Sequence, residues 1–414
     1  MLDGLGMGVF GLGSYVLLKS LSGTSAHVAI LQVMGPVAAV LAIFITEWMT
    51  GRDKRKFILW LGFLGRFILV LMLFVNSPIS FLIVCALVFV FSPGLTPAVN
   101  AILQTNISRP ILGKLYSYNI AIASIAVMLS TFVSGQILNA QPSNFRWLFA
   151  MAGVISFSGF YVLSRIHIRG GILKPEEKTL RLRHQKLKEL LYKSFWVPLR
   201  HSMAVLRENP SFAIFERNFF LYGLAFMILM VVVPVFLVEE LDISYAQAGI
   251  AGSVFQLATI IALPAFGHFY DRINPAGFCK WVFLILVFYP LGLMLTIFLA
   301  KVTGTSAIFW VYLASAIFGV GMGGLSLVWS LASIYFAESR DSAPFMGAHV
   351  TLVGVRGAIG PVVGFIIHKF FGPYPAFLLA LVLFLTAFIL MAKLESKLPR
   401  ALAVEKRPSL AHSH

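Results

Sequence analysis

Three side chains able to ligate a metal fall within residues 267–280, GHFYDRINPAGFCK: His268, Asp271 and Cys279. His268 and Asp271 are close enough to share a helix end, but Cys279 lies beyond an Asn274-Pro275 turn and no fourth ligand is near. A closed site needs about four ligands, so no metal is expected. Residues 6–11 (GMGVFG) and 319–324 (GVGMGG) both satisfy GxGxxG. That pattern holds a dinucleotide only after a strand, before a helix and with an acid about 20 residues on. Both copies lie inside long apolar runs instead, where Gly4/Gly8 and Gly319/Gly323 form small faces on which helices touch or slide. The chain has no GxxxxGK[ST], HExxH, CxxC or GxSxG. No catalytic residue, cofactor or enzyme activity is expected.

Binding chemistry is better represented. Arg356 stands near the middle of an apolar run, in LVGVRGAIGPVVG. A charge at such depth is costly and faces a bundle interior or a water-filled cavity. No acid is read near mid-span, which favours a substrate or ion role for Arg356 over a structural pairing. Tyr15, Gln32, Asn119, Tyr222, Gln256 and His349 are polar side chains at similar depth and are further candidates for a substrate cavity. Each has the plainer alternative of an interhelical hydrogen bond. Arg66, ten residues into its run, is read as structural or snorkelling. Asp3 and Glu47, near one face, are the acids left for proton coupling.

The elements that must position these groups are membrane spans. Of 414 residues, 59% are hydrophobic and 12% charged, with mean hydropathy +0.90. A water-soluble domain is nearer half apolar and a quarter charged. Two cysteines exclude a disulfide framework. The opening residues carry Asp3 where a cleavable leader has a basic region, so 3–20 is read as a first span. Runs long enough to cross about 30 Å of hydrocarbon follow at 28–48, 57–76, 79–102, 113–139 and 145–165. A second set covers 213–238, 245–270, 277–300, 306–335, 343–369 and 373–393.

The expected fold is therefore an all-α polytopic membrane protein, with twelve transmembrane helices in two pseudo-symmetric six-helix bundles. The bundles are 1–165 and 213–394. A basic cytoplasmic linker, 166–212, separates them, and a disordered cytoplasmic tail, 395–414, follows. With the N-terminus cytoplasmic, inner connections hold twenty-five Lys and Arg and outer ones four, so both termini are placed inside an inner membrane. The net charge of +16 is then topology, and no nucleic-acid partner is expected. Linker residues 176–193 place leucines among Lys and Arg. An amphipathic helix on the anionic inner leaflet and a solvated tether both stay open.

Weak internal echoes support a six-span repeat: SRPILGKLYSY (108–118) against SRDSAPFMGAH (339–349), and the ends of spans 2 and 8. Six plus six spans, a basic central loop and Gly267-His-Phe-Tyr-Asp271-Arg272 after span 8 together resemble the major facilitator superfamily. In the first half only the basic tail of that loop motif, 51–56, matches, with Glu47 the nearest acid. The resemblance implies secondary transport by alternating access about a midplane site. It implies a conformational latch built from Gly267, which allows close helix packing, and Asp271 and Arg272, with Glu47, Arg52 and Lys54 at the weaker first-half position. Gly360-Pro361-Val-Val-Gly364 is similar to part of a motif the family carries in its fifth span. Here it is in the eleventh, so it is read as a kink and transport direction is left open.

The expected partners are a small-molecule or ion substrate and the lipid bilayer, for a monomeric chain. An anionic or polar solute is favoured because of Arg356. An exporter of hydrophobic compounds, and a non-transporting sensor or assembly factor on the same scaffold, are the alternatives.

Overall fold

The computed structural model describes residues 1–49, 53–95, 98–99, 106, 109–166, 197–270, 272–337 and 343–399. Within them the chain is helical, without strands. Twelve segments run in sequence. They are α1 (Leu2–Phe10, continued by Gly13–Tyr15 and a π-helical Val16–Ser20), α2 (Ser25–Met49), α3 (Lys54–Gly65, continued by 3-10 Phe67–Phe74), α4 (Pro78–Phe91), α5 (Arg109–Ala140) and α6 (Phe145–Ser164). Then come α7 (Pro210–Glu239), α8 (Tyr245–Tyr270), α9 (Pro275–Thr303), α10 (Ala307–Ala337), α11 (Ala343–Phe371) and α12 (Pro373–Glu395). Nine of the described helices are long and apolar enough to cross a membrane, and two shorter apolar stretches, Ser25–Ala39 and Pro78–Gly94, add to them. This is the expected all-α polytopic fold. A helix at Val197–Glu208 precedes α7; the leucine-rich linker stretch 176–193 lies outside the described residues.

Helix starts follow local chemistry. Asp53 caps α3 by accepting from the Arg55 backbone N–H at 3.0 Å. The Arg55 guanidinium hydrogen-bonds the same side chain and holds the Asp53 carboxyl below the usual carboxylate range. Ser77 and Ser80 form a capping box before α4, with Pro78 in its first turn. Asn274 caps α9 ahead of Pro275, where the missing proline N–H costs nothing.

Packing inside each half uses small residues, because lipid gives no hydrophobic reason for helices to associate. A Cβ at Gly4 would reach the Ala123 carbonyl oxygen at 2.6 Å, and one at Gly8 the Val127 carbonyl oxygen at 2.6 Å, so α1 lies backbone to backbone on α5. Ser130 Oγ donates to the Leu5 carbonyl at 2.6 Å along the same seam. Gly319 and Gly323 seat α10 on α8, near Phe255 and Thr259. Both glycine clusters that match the dinucleotide pattern are thus helix contacts.

The halves meet along α5–α8 and α2–α11. Ser253 Oγ on α8 donates to the Met128 carbonyl of α5 at 3.0 Å, while Gly357 on α11 faces Pro36 on α2. At the end carrying the α1–α2 and α7–α8 connections, predicted to face outward, the halves are joined further. Lys19 Nζ reaches Asp242 Oδ1 at 3.1 Å and the Ile243 carbonyl at 2.8 Å; Ser20 Oγ and the Tyr245 hydroxyl are 2.5 Å apart.

At the opposite end the α8–α9 turn anchors the end of α12. Asn274 Nδ2 donates to the Glu395 and Leu398 carbonyls at 3.3 Å each, and Lys280 pairs with Glu395 at 2.5 Å. Cys279 is fully buried in that packing. No cluster of three or more metal-ligating side chains occurs among the described residues.

Candidate functional site

Two spans lose α-helical regularity at mid-depth, and both breaks border one cavity. In α1, Gly11 and Leu12 interrupt the helix within a glycine-rich stretch, where low helix propensity makes a break inexpensive. In α3 the geometry changes from α to 3-10 at Arg66, whose backbone sits at φ −134°, ψ −54°. Irregular backbone at membrane depth is tolerated only where it is buried in protein or lines a water-filled space.

The cavity has a volume of about 560 Å³ and lies between the two halves. The N-terminal half contributes Ser14, Tyr15, Gln32, Arg66, Ser92, Thr131 and Ser156, alongside Met7, Phe10 and Phe89. The C-terminal half contributes Phe226, Met230, Pro234, Phe255, Gln256, Tyr289, Phe318 and Met322. Its aromatic wall is organised around Phe318, with Tyr289 stacked at 4.2 Å and Phe255 at 5.3 Å between ring centroids. The N-terminal wall carries most of the hydroxyl groups and the Arg66 guanidinium beside Phe10, Phe89 and Met7, whereas the C-terminal wall is mainly rings and thioethers, with Gln256 and Ser315 among them.

Among the expected binding residues, the fold brings Tyr15, Gln32 and Gln256 to this cavity. Gln32 Nε2 donates to Ser14 Oγ at 3.2 Å, fixing its amide along the polar wall. Asn119 is exposed on α5. Tyr222, His349 and Arg356 lie together inside the C-terminal bundle, away from the cavity lining. Arg356 is 2% exposed and donates from Nη1 to the Phe219 carbonyl at 2.7 Å. Its guanidinium also stands 5.2, 5.5 and 5.9 Å from the ring centroids of Phe219, Tyr222 and Trp329. Cation–π contacts of this kind, worth up to about 2 kcal/mol when desolvated, offset part of the cost of burying the charge.

The other part of the offset comes from an acid near the inner end of α7, which the sequence reading did not weigh. Glu216, on α7, is 2% exposed and sits within electrostatic reach of Arg356. It also takes a hydrogen bond from His349 at 3.0 Å. Its neighbour Arg217 makes the dipeptide look like the polar edge of a span, although Arg217 itself is exposed.

Arg66, read from sequence as structural, lines the cavity. Its Nε donates to Asp3 Oδ1 at 2.7 Å, Nη2 to Asp3 Oδ2 at 3.4 Å, and Nη1 to Ser92 Oγ at 2.5 Å and the Gly65 carbonyl at 3.0 Å. The sequence signal for it was the helix-breaking pair Gly65-Arg66 in an otherwise continuous apolar run.

The expected latch is only partly within view. Asp271 and Arg52 lie outside the described residues, and of Glu47 only its place in α2 is described. Lys54 opens α3. Arg272 Nη2 and His268 Nε2 are 2.8 Å apart on the exposed end of α8. Gly267 has no described atom within 4 Å of where a Cβ would stand, so the close helix packing expected there is not seen among the described residues. Asn274 instead serves the α12 anchor.

The family comparison agrees with this architecture. A Major Facilitator Superfamily model matches residues 1–343 and, again, 218–411. No curated protein matches the chain. Solved structures share its fold at low identity. A POT family transporter in complex with a thioalcohol-conjugated peptide has TM-score 0.70 and 15% identity, over 94% of this chain and 93% of that one. The nucleoside transporter NupG has TM-score 0.62 and 14% identity, over 96% and 98%. The human organic anion transporter MFSD10 has TM-score 0.63 and 14% identity, over 94% and 96%. With two six-helix halves closing on one cavity and a family model matching almost end to end, the chain belongs to the major facilitator superfamily.

Proposed function

We propose that this chain is a secondary transporter that carries an organic solute with an aromatic or otherwise apolar body through alternating exposure of the cavity between its halves. The observation that carries the reading is the cavity wall itself: Phe226, Phe255, Tyr289, Phe318, Met230 and Met322 line one side. Apolar pockets with few convergent polar groups suit drug-sized ligands, and about 560 Å³ admits a solute of two or three fused or linked rings. Methionines let such a surface adapt to more than one shape. Arg356, the ground for expecting a small anion at midplane, is occupied within the C-terminal bundle and lends that expectation no support.

The ends of the bundle fit the same mechanism. Lys19–Asp242 and Ser20–Tyr245 join the halves at the end predicted to face outward, and opening there requires these contacts to part. By charge distribution both termini face the cytoplasm. Neighbouring folds that move peptides, nucleosides and organic anions, as their descriptions state, support a small-molecule cargo without choosing among them.

The test is counterflow in proteoliposomes with a panel of aromatic dyes and, as controls, sugars and amino acids. Accumulation of aromatic solutes dependent on the protein is the expected result. Movement of the polar controls alone, or of no solute, would overturn the reading.

A further inference from the structure

We propose that Arg66 is the anion-binding group of the cavity, and that Asp3 is its exchangeable counter-ion, displaced when the carboxylate or sulfonate of an aromatic organic anion arrives. The proposal rests on the cavity being the transport site and names the charge its solute carries.

Arg66 is the one charged residue among those described around the cavity. Its guanidinium is not consumed by structure. Of five N–H donors, four have described partners, and the Nη2 contact to Asp3 Oδ2 is long at 3.4 Å. The firm contacts to Gly65 and Ser92 hold the group in place through Nη1, while the Nε–Nη2 edge is the one that meets a carboxylate in the fork geometry Arg favours. A solute carboxylate taking that edge exchanges like for like.

The release of Asp3 is inexpensive because its side chain is 38% exposed, against 13% for Arg66. A carboxylate that is already part-hydrated recovers its water on leaving, so the exchange avoids a bare buried charge. The break in α3 at Arg66 keeps the guanidinium at the wall rather than along the helix. Across the cavity, Phe318 with Tyr289 and Phe255 offers the surface for the ring system.

The experiment uses the full chain in lipid nanodiscs and three probes of one shape: 2-naphthoate, 2-naphthamide and 2-(aminomethyl)naphthalene. Binding is measured by equilibrium dialysis against empty nanodiscs at about pH 8, above the usual carboxylate range. The wild type is expected to prefer naphthoate over both analogues by about tenfold. Asp3→Asn is expected to tighten naphthoate binding about tenfold by removing the competing carboxylate. Arg66→Gln is expected to abolish the carboxylate preference, bringing naphthoate and naphthamide to within about twofold of each other.

Equal binding of the three probes by the wild type, or a preference that survives Arg66→Gln, overturns the anion assignment and leaves the apolar cavity standing. Failure of every probe to bind a folded wild-type chain overturns both readings. If Arg66→Gln does not fold, Asp3→Asn decides alone: unchanged naphthoate affinity sinks the proposal.

Discussion

Inside the C-terminal bundle the His349 imidazole stands 3.0 and 3.1 Å from the two carboxylate oxygens of Glu216, tying α11 to α7. Phe219 and Trp329 pack their rings around the imidazole, with centroids at 5.1 and 4.9 Å. Its Nε2 has no described partner and is buried, so the whole fixing of the ring comes through Nδ1. Removing one partner of a buried hydrogen bond strands the other and costs about 1–3 kcal/mol, more where the stranded group is charged, whereas replacing both with apolar groups can be nearly neutral. Glu216→Leu alone is expected to lower the thermal midpoint strongly, and Glu216→Leu with His349→Phe to recover much of the loss. Additive losses across that cycle, followed by scanning fluorimetry, would remove the pair as a unit.

Gly223 makes the space for Arg356. A Cβ built on it would collide with the guanidinium, which is pinned by the Phe219 carbonyl and the surrounding rings. Gly223→Ala therefore forces the buried charge from its carbonyl partner, although alanine is the better helix former. The expected cost is about 1–3 kcal/mol, seen as a lower thermal midpoint. A stabilised Gly223→Ala protein would mean that the guanidinium has somewhere else to go.

Lys19 and Asp242 close the end predicted to face outward, but their ion pair is nearly in water: Asp242 has a side chain 95% exposed. Such pairs contribute little to stability. Their effect is expected in the balance between open and closed states, where a small bias is enough to change populations several-fold. Asp242→Asn keeps a residue that tolerates the positive φ of 43° found there while removing the charge. Combined with Tyr245→Phe, it is expected to speed alkylation of a cysteine placed at Gln256 by a membrane-impermeant maleimide, with the thermal midpoint almost unmoved. An unchanged labelling rate would assign the closure to other contacts.

The span pattern was legible in sequence because lipid leaves only hydropathy and length to satisfy. Position within a span was legible as well; direction around the helix was not. Arg356 and Tyr15 both read as polar groups at depth, yet one faces its own bundle and the other the cavity. Only the tilt and neighbours of each helix decide that, and hydropathy does not encode them. Gln32 and Gln256 were found because each lies on a helix that faces the other half. Glu216 was missed because Arg217 beside it resembles a span boundary, and Arg66 because an arginine part-way along a span can also snorkel.

A backbone-to-backbone approach between the halves, α5 against α8, sets a limit on how the outer end can close. A Cβ on Gly249 of α8 would meet the Thr131 carbonyl oxygen of α5 at 2.9 Å and the Gly135 Cα at 3.0 Å; one on Gly135 would meet the Tyr245 carbonyl oxygen at 2.8 Å. These atoms are backbone, so a larger residue cannot be absorbed by a rotamer change; the helices must separate. Within each half the packing surfaces lie elsewhere, so separation here moves the halves apart without dismantling either. Gly249→Leu is accordingly expected to hold the protein open at this end. The cysteine at residue 256 should then label several-fold faster, solute counterflow should fall by about tenfold or more, and the thermal midpoint should drop by less than for Glu216→Leu. Fast labelling with undiminished counterflow would show that the cycle does not pass through this contact; slow labelling with a large loss of stability would show that the glycine pair holds the fold rather than the gate.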